Sequence, residues 1–148
     1  MTNATTSTFV YVTYIRTSPE KLWAALTTAE FTRQYWFGTE QLTDWQAGSP
    51  WQLKFPDGRL ADSGEVLEID PPKRLVLKWR NEFKPELKAE GYSRCTMDLE
   101  PMDSAVKLTI THVIDRRESK LIGAVSGGWP RILSNLKSLL ETGQLALT

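Results

Sequence analysis

The sequence predicts an α+β fold: one antiparallel sheet with a wet face and a dry face, the dry face closed by a long helix. Three observations predict it. From Trp51 to His112 the apolar residues recur at every second position, the period of strands that bury one side only. From Ser119 to Thr142 they fall instead at Leu121, Ile122, Val125, Trp129, Ile132, Leu133, Leu136, Leu139 and Leu140. Steps of one, three and four describe a single face of a 3.6-residue helix. No other apolar stripe in the chain is long enough to cover the sheet.

The elements follow in order. Thr8 to Arg16, TFVYVTYIR, is β-branched and aromatic and reads as a strand. Ser18-Pro19-Glu20 then starts a helix, with a capping hydroxyl, a proline at the first helical position and an acid near the positive end. Leu22, Trp23 and Leu26 give it a buried stripe. A second short helix from about Thr28 carries Phe31, Tyr35 and Trp36, and Trp36-Phe37-Gly38 closes the unit. The period then becomes two. Trp51, Leu53 and Phe55 lead to the turn Pro56-Asp57-Gly58; SGEVLEID runs to Pro71-Pro72; Leu75, Leu77 and Trp79 alternate with Val76, Lys78 and Arg80. A charged loop from Asn81 to Gly91 precedes two last strands, one with Cys95, Met97 and Leu99 on one face, the other with Val106, Leu108, Ile110 and His112. In the closing helix Pro130 suits a first turn, so the firm part is expected from near Gly128, and Gly143 stops it.

Composition narrows the function. Eighteen basic residues balance eighteen acidic ones, so no global field draws the chain to nucleic acid or an anionic membrane. The single cysteine, Cys95, excludes an intrachain disulfide framework. Without a signal peptide or a run of about 18 apolar residues, the chain reads as cytoplasmic. Residues 8–143 are expected to form one domain, with 1–7 and 144–148 as frayed termini. Six tryptophans in 148 residues fit either a packed core or the walls of an apolar pocket.

This order of elements, with the stretches SPEKLWAALTTAEFTRQYWFG, GEVLEIDPPKRLVLKW and GGWPRILSNLKSLLETG, resembles the START-like or helix-grip superfamily, also called SRPBCC. Within it the chain is similar to the family of the C-terminal domain of the heat-shock-protein-90 ATPase activator. The resemblance covers about Thr8 to Gly143. It implies a curved sheet of six or seven strands gripping the C-terminal helix, with a cavity between them that often holds an apolar ligand. The eukaryotic activator also has an N-terminal domain that helps grasp the chaperone, and nothing in these 148 residues corresponds to it.

The chemistry-bearing residues are few. There is no glycine-rich phosphate loop, no cysteine pair and no HExxH metal motif, so no cofactor or metal is implied. His112 is the only histidine, and any catalytic Ser-His-Asp set would have to use it. By alternation it faces inward with Ile110, which leaves a satisfied core histidine and a polar hook at the pocket both open. Cys95, also inward, reads as a small hydrophobe rather than a reactive thiol. Glu65 is expected on the face of Leu67 and Ile69, either as a rim carboxylate or as a buried acid at the pocket, and Glu68 on the face of Val66. The predicted ligand site is Trp36, Phe37, Trp51, Leu77, Trp79, Met97, His112 and Trp129. A binder of a small apolar molecule is the leading expectation. A protein-interaction or stress-response module of co-chaperone type, with a protein partner or as a homodimer, is the second. An enzyme of the cyclase or hydrolase type using the same cavity has the least support.

Overall fold

The computed structural model describes residues 5–148; the first four residues of the expected frayed N-terminus lie outside the described residues. Seven strands form one sheet: β1 (Ser7–Ile15), β2 (Glu40–Leu42), β3 (Pro50–Lys54), β4 (Leu60–Asp70), β5 (Arg74–Asn81), β6 (Ser93–Met102) and β7 (Ala105–Ile114). Their order across the sheet is β1-β7-β6-β5-β4-β3-β2, every neighbouring pair antiparallel. Helices α1 (Pro19–Thr27) and α2 (Ala29–Tyr35) follow β1, the one-turn α3 (Pro85–Lys88) lies between β5 and β6, and α4 (Lys120–Thr142) ends the chain. This is the curved α+β sheet with its C-terminal helix that the resemblance implies. Among the described residues, no helix is long and apolar enough to cross a membrane.

Binary pattern decides each strand's orientation. In β7, Val106, Leu108, Ile110, His112 and Ile114 are all buried, and the residues between them are only partly so. The same face of β5 and β6 supplies Leu75, Leu77, Trp79, Cys95, Met97 and Leu99 to one core with Trp129, Leu133 and Leu136 of α4. Ser18 caps α1 through its Oγ, which accepts from the Lys21 N–H at 3.2 Å, with Pro19 in the first turn.

Two local expectations are corrected. A bulge between Val66 and Glu68 inserts one residue into β4, so faces cannot be counted through it by alternation. Val66 is wholly buried, whereas Glu65 pairs with Lys78 and Leu67 lines a shallow depression with Lys78, Tyr92 and Arg94. Ile69, beyond the bulge, packs on the core, so Glu65 and Ile69 do not share a face.

The second correction concerns α4, which is helical from Lys120 and not from Gly128. Ser119 Oγ accepts from the Ile122 N–H at 3.1 Å, and the Glu90 carboxylate accepts from the Lys120 and Leu121 N–H groups at 2.8 and 3.3 Å. Leu121 and Ile122 are buried with Leu87 and Ile114. A capped end with a buried first turn outweighs the N–H that Pro130 removes inside the helix. Gly143 closes it at φ 80°, as expected. Beyond it the chain turns back, and the side chain of buried Asn135 pairs with both the N–H and the C=O of Leu147, at 2.6 and 3.1 Å.

Candidate functional site

Between the first half of α4 and the β4–β5 end of the sheet, the surface is indented. Two adjoining clefts, each of about 250 Å³, lie there. The first runs between α4 and the segment Asn81–Leu87; the second runs between α4, the turn after α2, and β3. Trp36, Asp62, Phe83, Gly128 and Ile132 belong to both. The clefts meet at Gly128, where α4 has no side chain to fill the gap and an added Cβ would meet nothing within 4 Å.

The walls are aromatic. Trp36, at the end of α2, stacks on Trp79 of β5 at 6.1 Å and approaches Trp129 of α4 at 5.4 Å; Trp79 and Trp129 meet edge to face at 5.7 Å. Three separate elements thus contribute one indole each. Phe55 and Phe83 make an edge contact at 5.0 Å by the second cleft. Phe37 stands at its mouth, 42% exposed with φ 51°, and the Arg131 guanidinium lies 5.8 Å from its ring. A left-handed phenylalanine is sterically strained. That backbone turns its ring towards the cleft mouth.

Of the predicted site residues, Trp36, Trp79 and Trp129 line the first cleft, and Trp36 and Phe37 the second. Trp51, Leu77 and Met97 are fully buried and line neither. Trp51 supports Trp79 at 4.6 Å, and its Nε1–H donates to Gln41 Oε1 at 2.9 Å. His112 lies behind Trp79 and Trp129. Its Nδ1 accepts from Trp129 Nε1–H at 3.2 Å. Ser93 Oγ donates to the Trp79 carbonyl at 3.0 Å and therefore accepts the Nε2–H of His112 at 2.7 Å. Both ring nitrogens are occupied, and burial pulls the imidazole pKa down from 6.5 to about 4. The ring is neutral, its tautomer fixed by its neighbours. Burial pushes the Cys95 thiol up, which keeps it protonated.

Two buried polar residues of the first cleft were not among those predicted. Asp62 and Asn81 are cross-strand partners of β4 and β5, 7% and 5% exposed. Asp62 Oδ1 accepts from Trp79 Nε1–H at 2.9 Å. Burial nevertheless raises its carboxyl from 3.8 to about 7, the Trp79 bond working the other way and the nearby Glu82 charge adding to the rise. Glu82 differs: burial opposes its charge, but hydrogen bonds from Arg80, Ser63 and Lys88 outweigh it and hold the carboxyl at about 2. Alternation was the available signal, since Asn81 follows the inward Trp79 by two. Asp62 stands two before Gly64, which faces Trp79 in register.

Asp62 and His112 pull stability in opposite directions with pH. Between about pH 4 and 6.5 the unfolded chain protonates His112 and the fold does not, so this residue makes the fold more stable as pH rises. Between 3.8 and about 7 the fold protonates Asp62 and the unfolded chain does not, so this one makes it less stable as pH rises. The slopes cancel over the shared window. Asp62→Asn removes one of them, and its unfolding free energy is expected to rise by about 1.4 kcal/mol per pH unit between pH 4 and 6.5 relative to the parent. Urea unfolding at three pH values measures this, and parallel profiles for parent and variant would show that Asp62 ionises normally.

The family model described as Activator of Hsp90 ATPase homolog 1-like protein matches residues 16–141. The chain belongs to that family. A search of curated proteins found no match. Among solved structures, the chain is similar to protein MLL2253 from Mesorhizobium loti, with 25% identity over 94% of this chain and 100% of that one and a TM-score of 0.76. It shares its fold with an Aha1 dimer from Colwellia psychrerythraea, at 20% identity, 93% and 98% coverage and a TM-score of 0.75. It also shares it with an HSP90 activator from Plasmodium falciparum, at 24% identity, 90% and 95% coverage and a TM-score of 0.72.

Proposed function

We propose that this chain binds a small, mainly apolar molecule in the joined clefts between α4 and the sheet. One observation carries the reading: two joined, half-open clefts with aromatic walls run past Gly128, beside the buried core. Apolar volume left unfilled costs dispersion contacts that a ligand restores. Phe37 and Phe83, 42% and 43% exposed at the rim, add apolar surface that water solvates poorly. In this reading Trp36, Phe37, Trp79 and Trp129 touch the ligand, while Trp51, Leu77, Met97 and His112 hold those walls from behind. A binder is favoured over an enzyme because His112 has no free nitrogen and Cys95 no access to the cleft. The composition and the buried lone thiol support a cytoplasmic setting.

Gly128→Leu tests it. The new side chain enters open space on a helix, where replacing glycine gains roughly 0.5–1 kcal/mol. The variant is expected to bind N-phenyl-1-naphthylamine at least about tenfold more weakly than the parent while its unfolding midpoint holds or rises. Unchanged dye affinity in that folded variant would place the ligand elsewhere.

A second reading, a self-associating interaction module, draws on β1. Among the described residues this strand pairs only with β7, and Val10, Val12 and Tyr14 stand exposed along it. It predicts a dimer in sedimentation velocity that Val12→Lys converts to monomer; a parent that sediments as a monomer at all concentrations removes it.

A further inference from the structure

We infer that the ligand of the α4 cleft carries a hydroxyl group, held between Asp62 Oδ2 and Asn81 Nδ2 while its apolar body lies against the indoles. The inference rests on the binding reading above and adds the chemical class.

The argument starts from which polar atoms are spoken for. Asp62 spends Oδ1 on Trp79 Nε1–H. Asn81 spends Oδ1 on the Phe83 and Lys84 N–H groups, at 3.2 and 2.9 Å, shaping the turn into α3. Among the described residues, nothing hydrogen-bonds the remaining oxygen of Asp62 or the amide nitrogen of Asn81. Neither atom is sealed in the interior, where no side-chain nitrogen or oxygen of the described residues is left unpartnered. Both residues are more than nine-tenths buried and both line the first cleft, so the free atoms reach open space there. They are neighbours across the β4–β5 ladder. An apolar cleft thus presents one acceptor and one donor side by side, each costly to leave unpaired against an apolar ligand.

A hydroxyl is the small group that satisfies both. Its O–H donates to the Asp62 carboxylate while its oxygen accepts from Asn81, and if Asp62 is protonated the same oxygen accepts from both. A ketone fits only the protonated form. An ammonium ion would leave the Asn81 donor unpaired, and it would have to pass Lys84 and Arg131, which stand at the two cleft walls.

Calorimetric titration at about pH 8 with 2-naphthol, its methyl isostere 2-methylnaphthalene, and 2-naphthylmethylammonium tests the assignment. The parent is expected to prefer 2-naphthol over 2-methylnaphthalene by about tenfold or more. Asp62→Asn and Asn81→Asp each keep the oxygen that serves the fold and exchange the atom offered to the ligand, acceptor for donor in the first and donor for acceptor in the second. Each is expected to reduce that preference by about fivefold. The double exchange, Asp62→Asn with Asn81→Asp, restores one donor and one acceptor, and with them most of the preference; a merely structural pair would not be rescued. Equal affinity for naphthol and hydrocarbon, single variants without effect, or tighter binding of the ammonium compound would each overturn the hydroxyl assignment and leave the apolar cleft standing. Binding of none of the three would overturn the binding reading itself.

Discussion

Gly64→Ala is expected to lower stability by about 3 kcal/mol or more, the largest loss predicted for any single methyl in this chain. A Cβ at Gly64 would sit 1.7 Å from the carbonyl oxygen of Lys78. That oxygen belongs to the backbone of β5, so no rotamer change relieves the clash; the β4–β5 ladder must part. Gly64 faces Trp79 in register, and Asp62 faces Asn81 two residues away, so the loss reaches the site as well as the fold. Gly127→Ala is the matched control, because a Cβ there meets nothing within 4 Å. Urea midpoints should fall steeply for the first and stay level or rise for the second. Equal midpoints would mean the strands tolerate separation at Gly64.

Trp79→Ala is the second large effect, with about 3–5 kcal/mol expected. The ring touches Trp36, Trp51, Trp129 and His112, and its N–H is the sole hydrogen bond to the Asp62 side chain among the described residues. Trp79→Phe separates the two contributions. It keeps most of the buried ring and orphans Asp62 Oδ1, for a loss of about 1–3 kcal/mol. If the alanine variant unfolds within about 1 kcal/mol of the parent, Trp79 is not the centre of the cluster.

The architecture was readable because each half of it has its own period. Alternation in β3, β5, β6 and β7 and the helical spacing of Leu121 to Leu140 do not depend on long-range detail. The bulge at Leu67 does, since nothing local distinguishes SGEVLEID from a regular strand. The start of α4 was missed for a similar reason. Glu90, thirty residues upstream, supports the local Ser119 cap by accepting from the Lys120 N–H, and such a partner leaves no mark in the helix's own sequence. In the site, the indoles of Trp36, Trp79 and Trp129 were legible as inward aromatics, but inward does not separate core from cavity. Trp51 and Trp79 carry the same pattern, yet only Trp79 lines a cleft. Asp62 was overlooked because a buried carboxylate reads as an exposed one until its neighbours are known.

The most direct measurement follows the six indole N–H resonances of the parent protein in a nitrogen–proton NMR correlation spectrum while N-phenyl-1-naphthylamine is added. The cleft account predicts that the signals of Trp36, Trp79 and Trp129 move with saturation, while those of Trp23 and Trp45, which line neither cleft, stay in place. Shifts confined to Trp23 or Trp45, or none at a probe concentration that saturates the dye signal, would contradict it.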